Sequence, residues 1–304
     1  MILQKGGSDS VGNILAGSPF SLDDNNSYRL FRDKKLKTAL KHKDNYIIEL
    51  KNPADITHSE KEKIMQYCNS SNMAIYTSSK KLTKEDLSKF ALQFGLSTLD
   101  ANPLSDDDGI SSLQVSESNT VKEFIPYTDK AIQWHTDGYY NDADHLVRSI
   151  ILHCETQAES GGENEFIDHE LIYIFLRDKN PEYIKALMEN DAMSIPPSLD
   201  SDGKELRPER VGPVFSVSED GYLHMRYTAR TRSISWKKSE ILEEALSYMK
   251  SILSSENEYI RKARMTSNQG IICNNVLHNR KSFIDGENSR RLVYRARYYE
   301  RITG

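Results

Sequence analysis

Residues 270–299 read GIICNNVLHNRKSFIDGENSRRLVYRARYY. Two segments of this stretch, 270–273 and 291–299, are rich in β-branched and aromatic residues, and a polar segment that contains glycine separates them. Five further segments of the same kind lie at 46–50, 74–77, 145–154, 213–217 and 222–227. Irregular insertions separate these segments instead of regularly spaced helices. An antiparallel sandwich or barrel with appended helices is therefore expected, rather than a doubly wound parallel sheet.

Helix signals are fewer and scattered. Capping residues followed by apolar residues at 3.6-residue spacing predict helices that begin near Ser59, Thr83 and Ser239. A short helix is expected from about Asp168, and Asn180-Pro181 reads as a cap followed by proline at the first helical position. The predicted fold class is mainly β with helices.

Composition excludes several classes of protein. The chain has 304 residues, a net charge of -5 and 38% hydrophobic residues, which describes a globular protein with a polar surface. Nucleic acid is an unfavourable partner for this charge, and no apolar run approaches the ~20 residues that span a bilayer. Three widely spaced cysteines without a CxxC argue against a disulfide framework, so a cytoplasmic location is expected. Residues 1–27 are expected to form a flexible arm, and the polar stretch 102–119 an internal linker.

The sharpest local motif is Trp134-His135-Thr136-Asp137-Gly138. In an extended strand His135 and Asp137 point to the same side, where they can offer an imidazole nitrogen and a carboxylate oxygen to one metal ion. Such triplets also arise by chance, and a surface pair at the end of a strand fits this motif equally well.

A second motif adds a third candidate ligand. His278 follows the polar pair Asn274-Asn275 at the end of an apolar strand. Two imidazoles and one carboxylate would occupy one face of an octahedral metal ion and leave three positions open, an arrangement that suits iron(II).

The last predicted strand carries an unusual set of charges. Alternation places Arg291, Val293, Arg295 and Arg297 on one face, and an arginine fork binds a carboxylate in bidentate fashion. The alternative is a solvated, charged edge strand, and this reading is favoured for Arg297.

Four motifs in this order resemble the iron(II)- and 2-oxoglutarate-dependent dioxygenases of the taurine dioxygenase and clavaminate synthase-like family. They are HTDG at 135–138, ESGGENEFID at 159–168, NNVLHNR at 274–280 and RRLVYRARYY at 290–299. The segments YTDKAIQWHTDGYY at 127–140 and LHCETQAESGGENEFID at 152–168 also resemble the γ-butyrobetaine hydroxylase branch. The resemblance covers residues 124–301. It implies a double-stranded β-helix, or jelly roll, in one dioxygenase domain over 28–304, with a helix and strand extension at 28–119 and the core at 120–304.

The resemblance also assigns roles. It implies that His135, Asp137 and His278 bind iron(II) and that Arg291 grips the distal carboxylate of 2-oxoglutarate. Arg295 matches a second arginine that approaches the co-substrate or the substrate. Asn164 stands where the family often has threonine or serine as a further contact to 2-oxoglutarate. Because halogenating members have lost the carboxylate, Asp137 implies oxygen insertion or a related oxidation.

Substrate contacts are predicted from a third cluster, HMRYTARTRSISW at 224–236. Arg226, Arg230 and Arg232 share parity and would point to one side of an extended segment, where they could recognise an anionic substrate. An exposed basic strand or an oligomer contact explains the same pattern. Tyr139 and Tyr140 directly follow the HTDG turn and are expected to border the substrate pocket.

The protein is expected to oxidise a small organic substrate with O2 and to release succinate and carbon dioxide. Hydroxylation is the form of oxidation expected first. Two alternatives stay open at this point: a cupin-like metal-dependent hydrolase that uses the same ligands around zinc, and an inert binding protein on the same fold. Neither nucleic acid nor a membrane is expected as a partner, and a homo-oligomer is compatible with the sequence.

Overall fold

The computed structural model describes residues 17–41, 47–100, 105–118, 124–199, 202–287 and 289–303. This part of the chain contains six α-helices: α1 Asn25–Lys41, α2 His58–Ser71, α3 Lys84–Leu92, α4 His169–Lys179, α5 Pro181–Leu187 and α6 Glu240–Ser254. Its strands are β1 Ile47–Leu50, β2 Met73–Ser78, β3 Ser111–Leu113, β4 Ile132–His135, β5 Ser149–Thr156, β6 Ser160–Gly161, β7 Asn164–Ile167, β8 Met193–Ile195, β9 Ser198–Leu199, β10 Glu205–Arg207, β11 Arg210–Gly212, β12 Phe215–Val217, β13 Leu223–Met225, β14 Ser235–Trp236, β15 Arg261–Ala263, β16 Gln269–Cys273, β17 Leu277–Arg280, β18 Phe283–Ile284 and β19 Leu292–Tyr298.

Two facing sheets form the centre of the molecule. The larger sheet has the strand order β1-β2-β16-β5-β19-β3, and the smaller has the order β15-β7-β17-β4. All strand pairs in these sheets are antiparallel except β1 with β2. Successive strands such as β4 and β5, or β16 and β17, lie in different sheets, so the chain crosses repeatedly from one sheet to the other. This mainly β jelly roll confirms the predicted fold class.

Period-2 alternation distributes the apolar side chains over three clusters. In β16, Ile272 packs on the side of α2 and α3, whereas Ile271 and Cys273 point between the two sheets. In β7, Phe166 points between the sheets, whereas Ile167 packs with α4, α5 and α6 on the other side. The strands are therefore buried on both faces, and helices cover the outer face of each sheet.

The predicted helix starts are confirmed at Thr83, Asp168, Asn180 and Ser239. The start predicted at Ser59 is wrong, because the first helical residue of α2 is His58 and its cap is Thr57. The Thr57 hydroxyl accepts from the Glu60 amide, and the Glu60 carboxylate accepts from the Thr57 amide at 2.7 Å. The pattern of a hydroxyl followed three residues later by glutamate occurs twice here, and the earlier copy forms the capping box.

Two segments that looked loose in the sequence are packed where they are described. Most of the predicted arm, residues 1–16, lies outside the described residues. Phe20 is nevertheless buried against Phe31 and Tyr173, and α1 begins at Asn25, so residues 17–27 are not a loose arm. The stretch predicted as a linker contains β3, which pairs with β19, and the buried Ile110. Within this stretch, β3 forms one edge of the larger sheet.

No helix among the described residues is both long and apolar enough to cross a bilayer.

Gly270 marks a point of very close packing inside the larger sheet. It pairs with Tyr76 in β2 and with His153 in β5, and the Tyr76 hydroxyl lies 3.2 Å from His153 Nδ1. A Cβ at position 270 would lie 2.5 Å from the Tyr76 ring and 2.6 Å from the Leu152 carbonyl oxygen. The Leu152 oxygen belongs to the backbone of a central strand, and the Tyr76 side chain is fully buried, so neither can move freely to make room for a Cβ.

We expect Gly270→Ala to lower the free energy of unfolding by ~1–3 kcal/mol, the usual cost of overpacking a core. Chemical denaturation measures this difference. Gly286→Ala is the matched control, since the atoms nearest to the new Cβ belong to the flexible Glu159 side chain. Equal denaturation midpoints for Gly270→Ala and wild type would contradict this packing.

Candidate metal centre

His135, Asp137 and His278 come together at one end of the space between the sheets. His278 in β17 is the direct cross-strand partner of His135 in β4, and the two ring centroids are 4.3 Å apart. One potential ligand atom from each of the three side chains lies within 4.8 Å of the others. The sequence prediction that these residues share one place is therefore matched by the geometry.

Backbone contacts determine which imidazole nitrogen is free. His135 Nδ1 lies 2.8 Å from the Gln133 carbonyl oxygen, and His278 Nδ1 lies 3.0 Å from the Val276 carbonyl oxygen. A carbonyl only accepts hydrogen bonds, so each Nδ1 carries the proton and each Nε2 keeps its lone pair. Burial, and then the neighbouring His278, lowers the pKa of His135 to about 3, and burial also lowers the pKa of His278. Both rings are thus neutral near pH 7, the state that binds a metal.

Asp137 is a buried carboxylate with one unsatisfied oxygen. Its Oδ1 accepts a hydrogen bond from Arg295 Nη1 at 3.2 Å, whereas its Oδ2 has no partner among the described residues. Burial by itself raises the pKa of Asp137, but the charges of Arg295 and His278 outweigh it and hold this pKa well below its usual range. The unpaired oxygen of the Asp137 carboxylate lies near the free Nε2 lone pairs of His135 and His278, and this set of donors suits a divalent cation.

Asn275 holds the backbone of Asp137 in place. Its Oδ1 accepts from the Asp137 amide at 2.8 Å, and its Nδ2 donates to the carbonyl oxygens of Asp137 at 2.9 Å and Val147 at 2.6 Å. Asn275 has a φ of 46°, a left-handed conformation that asparagine tolerates better than most residues. Sequence reasoning noted the Asn274-Asn275 pair only as polar neighbours of His278 and missed this role.

The turn after Asp137 requires glycine. Gly138 has a φ of 67°, and a Cβ there would lie 2.5 Å from Val147 Cγ2. The chain can therefore turn away from β4 directly after the carboxylate and bring Tyr139 and Tyr140 beside it.

A second segment runs along the free edge of β4. Thr228 forms a bridge with His135, the Ala229 amide donates to the Trp134 carbonyl at 2.8 Å, and the Thr136 amide donates to the Tyr227 carbonyl at 3.0 Å. Residues 227–230 are thereby held next to the three candidate ligands.

Arg297 is buried and paired, and does not lie on a solvent-exposed edge strand. It is 2% exposed, pairs with Asp100 at 2.6 Å and donates to the Tyr140 hydroxyl at 2.7 Å. Burial would lower the pKa of Arg297, but Tyr140, Asp137 and Asp100 raise it above its ordinary value. The solvated edge strand favoured for Arg297 is wrong, because β19 lies between β5 and β3.

Arg291 is buried and carries an unpaired charge. It is 6% exposed, and no described carboxylate lies within 4 Å of its guanidinium. Its guanidinium carbon lies 5.0 Å from the centre of the Phe283 ring, and burial lowers the pKa of Arg291. Arg280, which sequence reasoning did not single out, lies 4.8 Å from the same ring but donates to the carbonyls of Thr128 and Lys130. Arg291 is thus the arginine of this pair that remains available to an anion.

Asn164 lies in β7 and is buried. Its Nδ2 donates to the Asn279 carbonyl oxygen at 2.8 Å, and its Oδ1 has no partner among the described residues. The bond to Asn279 orients the amide and leaves a second N–H unused.

The arginines of the 224–236 cluster do not share a side. β13 ends at Met225, so the alternation that grouped Arg226, Arg230 and Arg232 does not continue. Arg226 is buried and donates to four backbone carbonyls, those of Tyr139, Met193, Arg210 and Gly212. These bonds tie together the backbone around Arg226 and do not favour it as a substrate contact, which stays a prediction. Arg230 and Arg232 are exposed, and Arg230 donates to the Tyr139 hydroxyl at 2.8 Å.

Comparison with solved structures identifies similar folds. An asparagine oxygenase in complex with Fe(II), 3-hydroxyasparagine and succinate aligns with a TM-score of 0.51 and 11% identity over 88% of this chain and 90% of that one. The non-haem iron oxygenase OrfP in complex with iron and α-ketoglutaric acid aligns with a TM-score of 0.58 and 12% identity over 88% and 90%. These likenesses show a shared jelly-roll fold.

Sequence comparison is more specific. The chain is 28% identical over 176 residues to a uridine-5'-phosphate dioxygenase from an Amycolatopsis species, which covers 55% of this chain and 60% of that relative. Residues 33–297 match the model of a single family. Because this match takes in far more than half of the chain, the protein belongs to the taurine catabolism dioxygenase TauD, TfdA family.

Proposed function

We propose that this protein is a non-haem iron(II)- and 2-oxoglutarate-dependent dioxygenase that oxidises a small organic substrate and releases succinate and carbon dioxide. One observation carries the proposal: two neutral imidazoles on the adjacent strands β4 and β17 meet an ionised carboxylate that follows β4 by two residues and has an orphaned oxygen. Family membership supports the same activity.

His135, Asp137 and His278 would hold the iron(II), each through the atom that the surrounding hydrogen bonds leave free. Two nitrogens and one oxygen leave open positions on the metal, as this ligand type does in oxygenases. When bound, the iron together with 2-oxoglutarate and O2 supplies the oxidising power for attack on a C–H bond. Asp137 and His278 are buried, whereas His135 is partly exposed.

Arg291 would bind the distal carboxylate of 2-oxoglutarate, because its buried guanidinium has no acidic partner among the described residues. Arg295 would orient either the co-substrate or the substrate, since its Nε has no partner while its Nη1 holds Asp137. The unused N–H of Asn164 would serve as a further donor to the co-substrate.

The two alternative functions are less well supported. A zinc-dependent hydrolase explains the three ligands but not the buried, unpaired Arg291. An inert binding protein is expected to have lost ligands, whereas His135, Asp137 and His278 are all present.

For the substrate, we propose only its size and its charge. The relatives named above act on small molecules, a nucleotide and an amino acid, and one of these carries a phosphate. We propose a small, anionic substrate for this protein, with Tyr139 and Tyr140 at the border of its pocket. A single domain over 28–304, with its division at 119/120, and a cytoplasmic location remain predictions. The γ-butyrobetaine hydroxylase likeness and a homo-oligomer also remain predictions.

The first test of the proposed function is metal binding. We expect anaerobic protein to bind one iron(II) per chain and to develop a weak visible charge-transfer band when 2-oxoglutarate is added. Asp137→Ala should weaken metal binding at least about a hundredfold, since it removes one of three ligands and the only negative charge among them. His58→Ala, a change on the exposed surface of α2, is the control. Full iron affinity in both His135→Ala and His278→Ala would rule out this ligand set.

Asn275 should affect metal affinity without being a ligand. Glycine accepts the left-handed backbone, so Asn275→Gly removes the three hydrogen bonds around Asp137 without adding strain. We expect iron(II) affinity to fall ~10-fold, the lower end of the usual effect of removing a group that supports a ligand. Asn268→Gly is the control, because Asn268 is also left-handed, at φ 67°. If both variants bind iron(II) like wild type, Asn275 does not position Asp137.

Arg291 should affect the co-substrate and leave the metal unchanged. Arg291→Gln removes a charge-assisted bidentate pair, so the affinity for 2-oxoglutarate should fall on the order of a hundredfold, and Arg291→Lys should recover only part of it. Anaerobic titration of the charge-transfer band measures both. Arg290→Gln is the matched control, since Arg290 is an exposed neighbour paired with Glu117. An unchanged dissociation constant in Arg291→Gln would move the role to Arg295.

A further inference from the structure

Besides Arg297, which pairs with Asp100, four arginines lie at or near the Tyr139-Tyr140 pair: Arg207, Arg210, Arg226 and Arg230. Arg230 donates to the Tyr139 hydroxyl, and Arg226 donates to the Tyr139 carbonyl. The guanidinium carbon of Arg207 lies 6.0 Å from the centre of the Tyr140 ring, and Arg210 is close enough to Arg207 to lower its pKa, after the larger effect of burial. The two tyrosine rings themselves meet edge to face at 5.2 Å.

Only part of this positive charge is compensated. Arg210 pairs with Asp142 at 3.3 Å, the one carboxylate that lies within 4 Å of any of the four arginines in the part of the chain that the structure describes. Arg226 is surrounded by four carbonyl dipoles. Arg207 and Arg230 carry the two charges that no acid balances.

Neutral contacts orient these two side chains. Arg207 donates to the carbonyl oxygens of Pro208 at 2.9 Å and Pro196 at 2.7 Å, and it is half-buried. Arg230 donates one N–H to Tyr139 and is otherwise exposed. Each guanidinium keeps further N–H groups that can bind an anion.

A chain of contacts links each arginine to the metal centre. Arg230 lies two residues after Thr228, which bridges to His135. Arg207 lies near one side of Tyr140, and that tyrosine's hydroxyl accepts from Arg297, whose charge acts on Asp137. The Tyr139-Tyr140 pair therefore connects the two arginines with the three candidate ligands.

We propose, on the basis of the proposed function, that Arg207 and Arg230 bind a phosphate group of the substrate beside Tyr139 and Tyr140. A phosphate monoester carries a charge of about −2 near neutral pH and would balance both guanidinium groups, whereas a sulfate ester or a carboxylate would balance one. Arginine forks match phosphate oxygens in bidentate fashion. The substrate is thus a phosphorylated small molecule whose reacting carbon lies toward His135, Asp137 and His278.

Three methyl esters of similar size separate charge from shape. Methyl phosphate is largely a dianion at pH 8, methyl sulfate is a monoanion and trimethyl phosphate is neutral. Binding is measured by NMR relaxation of the methyl protons, with protein loaded with Mn(II) and 2-oxoglutarate and, separately, with metal-free protein. We expect methyl phosphate to bind about tenfold tighter than methyl sulfate, and trimethyl phosphate not to bind.

Arg207→Gln and Arg230→Gln should each weaken methyl phosphate binding about tenfold or more, and Arg207→Lys should recover part of the loss. Arg29→Gln, an exposed change on α1 with the same loss of charge, should bind like wild type. Wild-type affinity in both glutamine variants overturns the proposal. So does equal binding of methyl sulfate, or no binding of methyl phosphate.

Measurements on the metal-loaded and the metal-free protein distinguish the phosphate site from the dioxygenase assignment. If metal and 2-oxoglutarate bind but methyl phosphate does not, the dioxygenase assignment stands and the phosphate site is rejected. If neither metal nor 2-oxoglutarate binds while the metal-free protein still takes up methyl phosphate through Arg207 and Arg230, the phosphate site stands and the dioxygenase assignment fails.

Discussion

The antiparallel register between β4 and β17 is the constraint on which the site depends. It sets His135 directly opposite His278, although 143 positions separate them in the chain. Because side chains alternate along a strand, a shift of one residue would turn His278 toward the α4–α6 side, where Leu277 now packs. The apolar neighbours Leu277 and Phe166, on opposite faces of the smaller sheet, therefore stabilise the arrangement of the polar site.

Around this pair, the structure leaves a few buried polar groups without partners. Asp137 Oδ2, Arg295 Nε and Asn164 Oδ1 have none among the described residues, and the Arg291 guanidinium has no acid. Buried groups of this kind are rare because each costs free energy when it stays unpaired. Asp137 and Arg295 contact each other at the candidate metal centre, so their unpaired atoms are available to a ligand there. Other buried charges have polar partners: Lys35 pairs with Asp168 at 2.6 Å, whereas Arg226 and Arg280 donate to backbone carbonyl oxygens.

Much of this could be predicted from sequence, because the signals are local. The HTDG motif identifies two ligands that do come together, although β4 ends at His135 and Asp137 lies two residues beyond it. Alternation in β19 correctly puts Val293 between the sheets and Arg295 beside Asp137. The role of Asn275 could not be predicted, since its three hydrogen bonds reach residues 128 and 138 positions away. The burial of Arg297 could not be predicted either, since the groups that contact it, Asp100 and the Tyr140 hydroxyl, lie 197 and 157 positions away in the chain.

The arginines show where local reasoning stops. Parity treats Arg226, Arg230 and Arg232 alike, because it describes only the direction of a side chain in an ideal strand. What decides the role of each is the set of groups that already compensates its charge: four carbonyl dipoles for Arg226, and a single phenol for Arg230. The position of Arg207 beside Tyr140 could not be predicted from sequence, since Arg207 lies in the β9–β10 hairpin and meets Tyr140 only in the folded chain. An arginine that the fold places near the candidate ligands without a compensating acid points to an anionic ligand. Such an arginine can be recognised only when all the groups around its guanidinium are known.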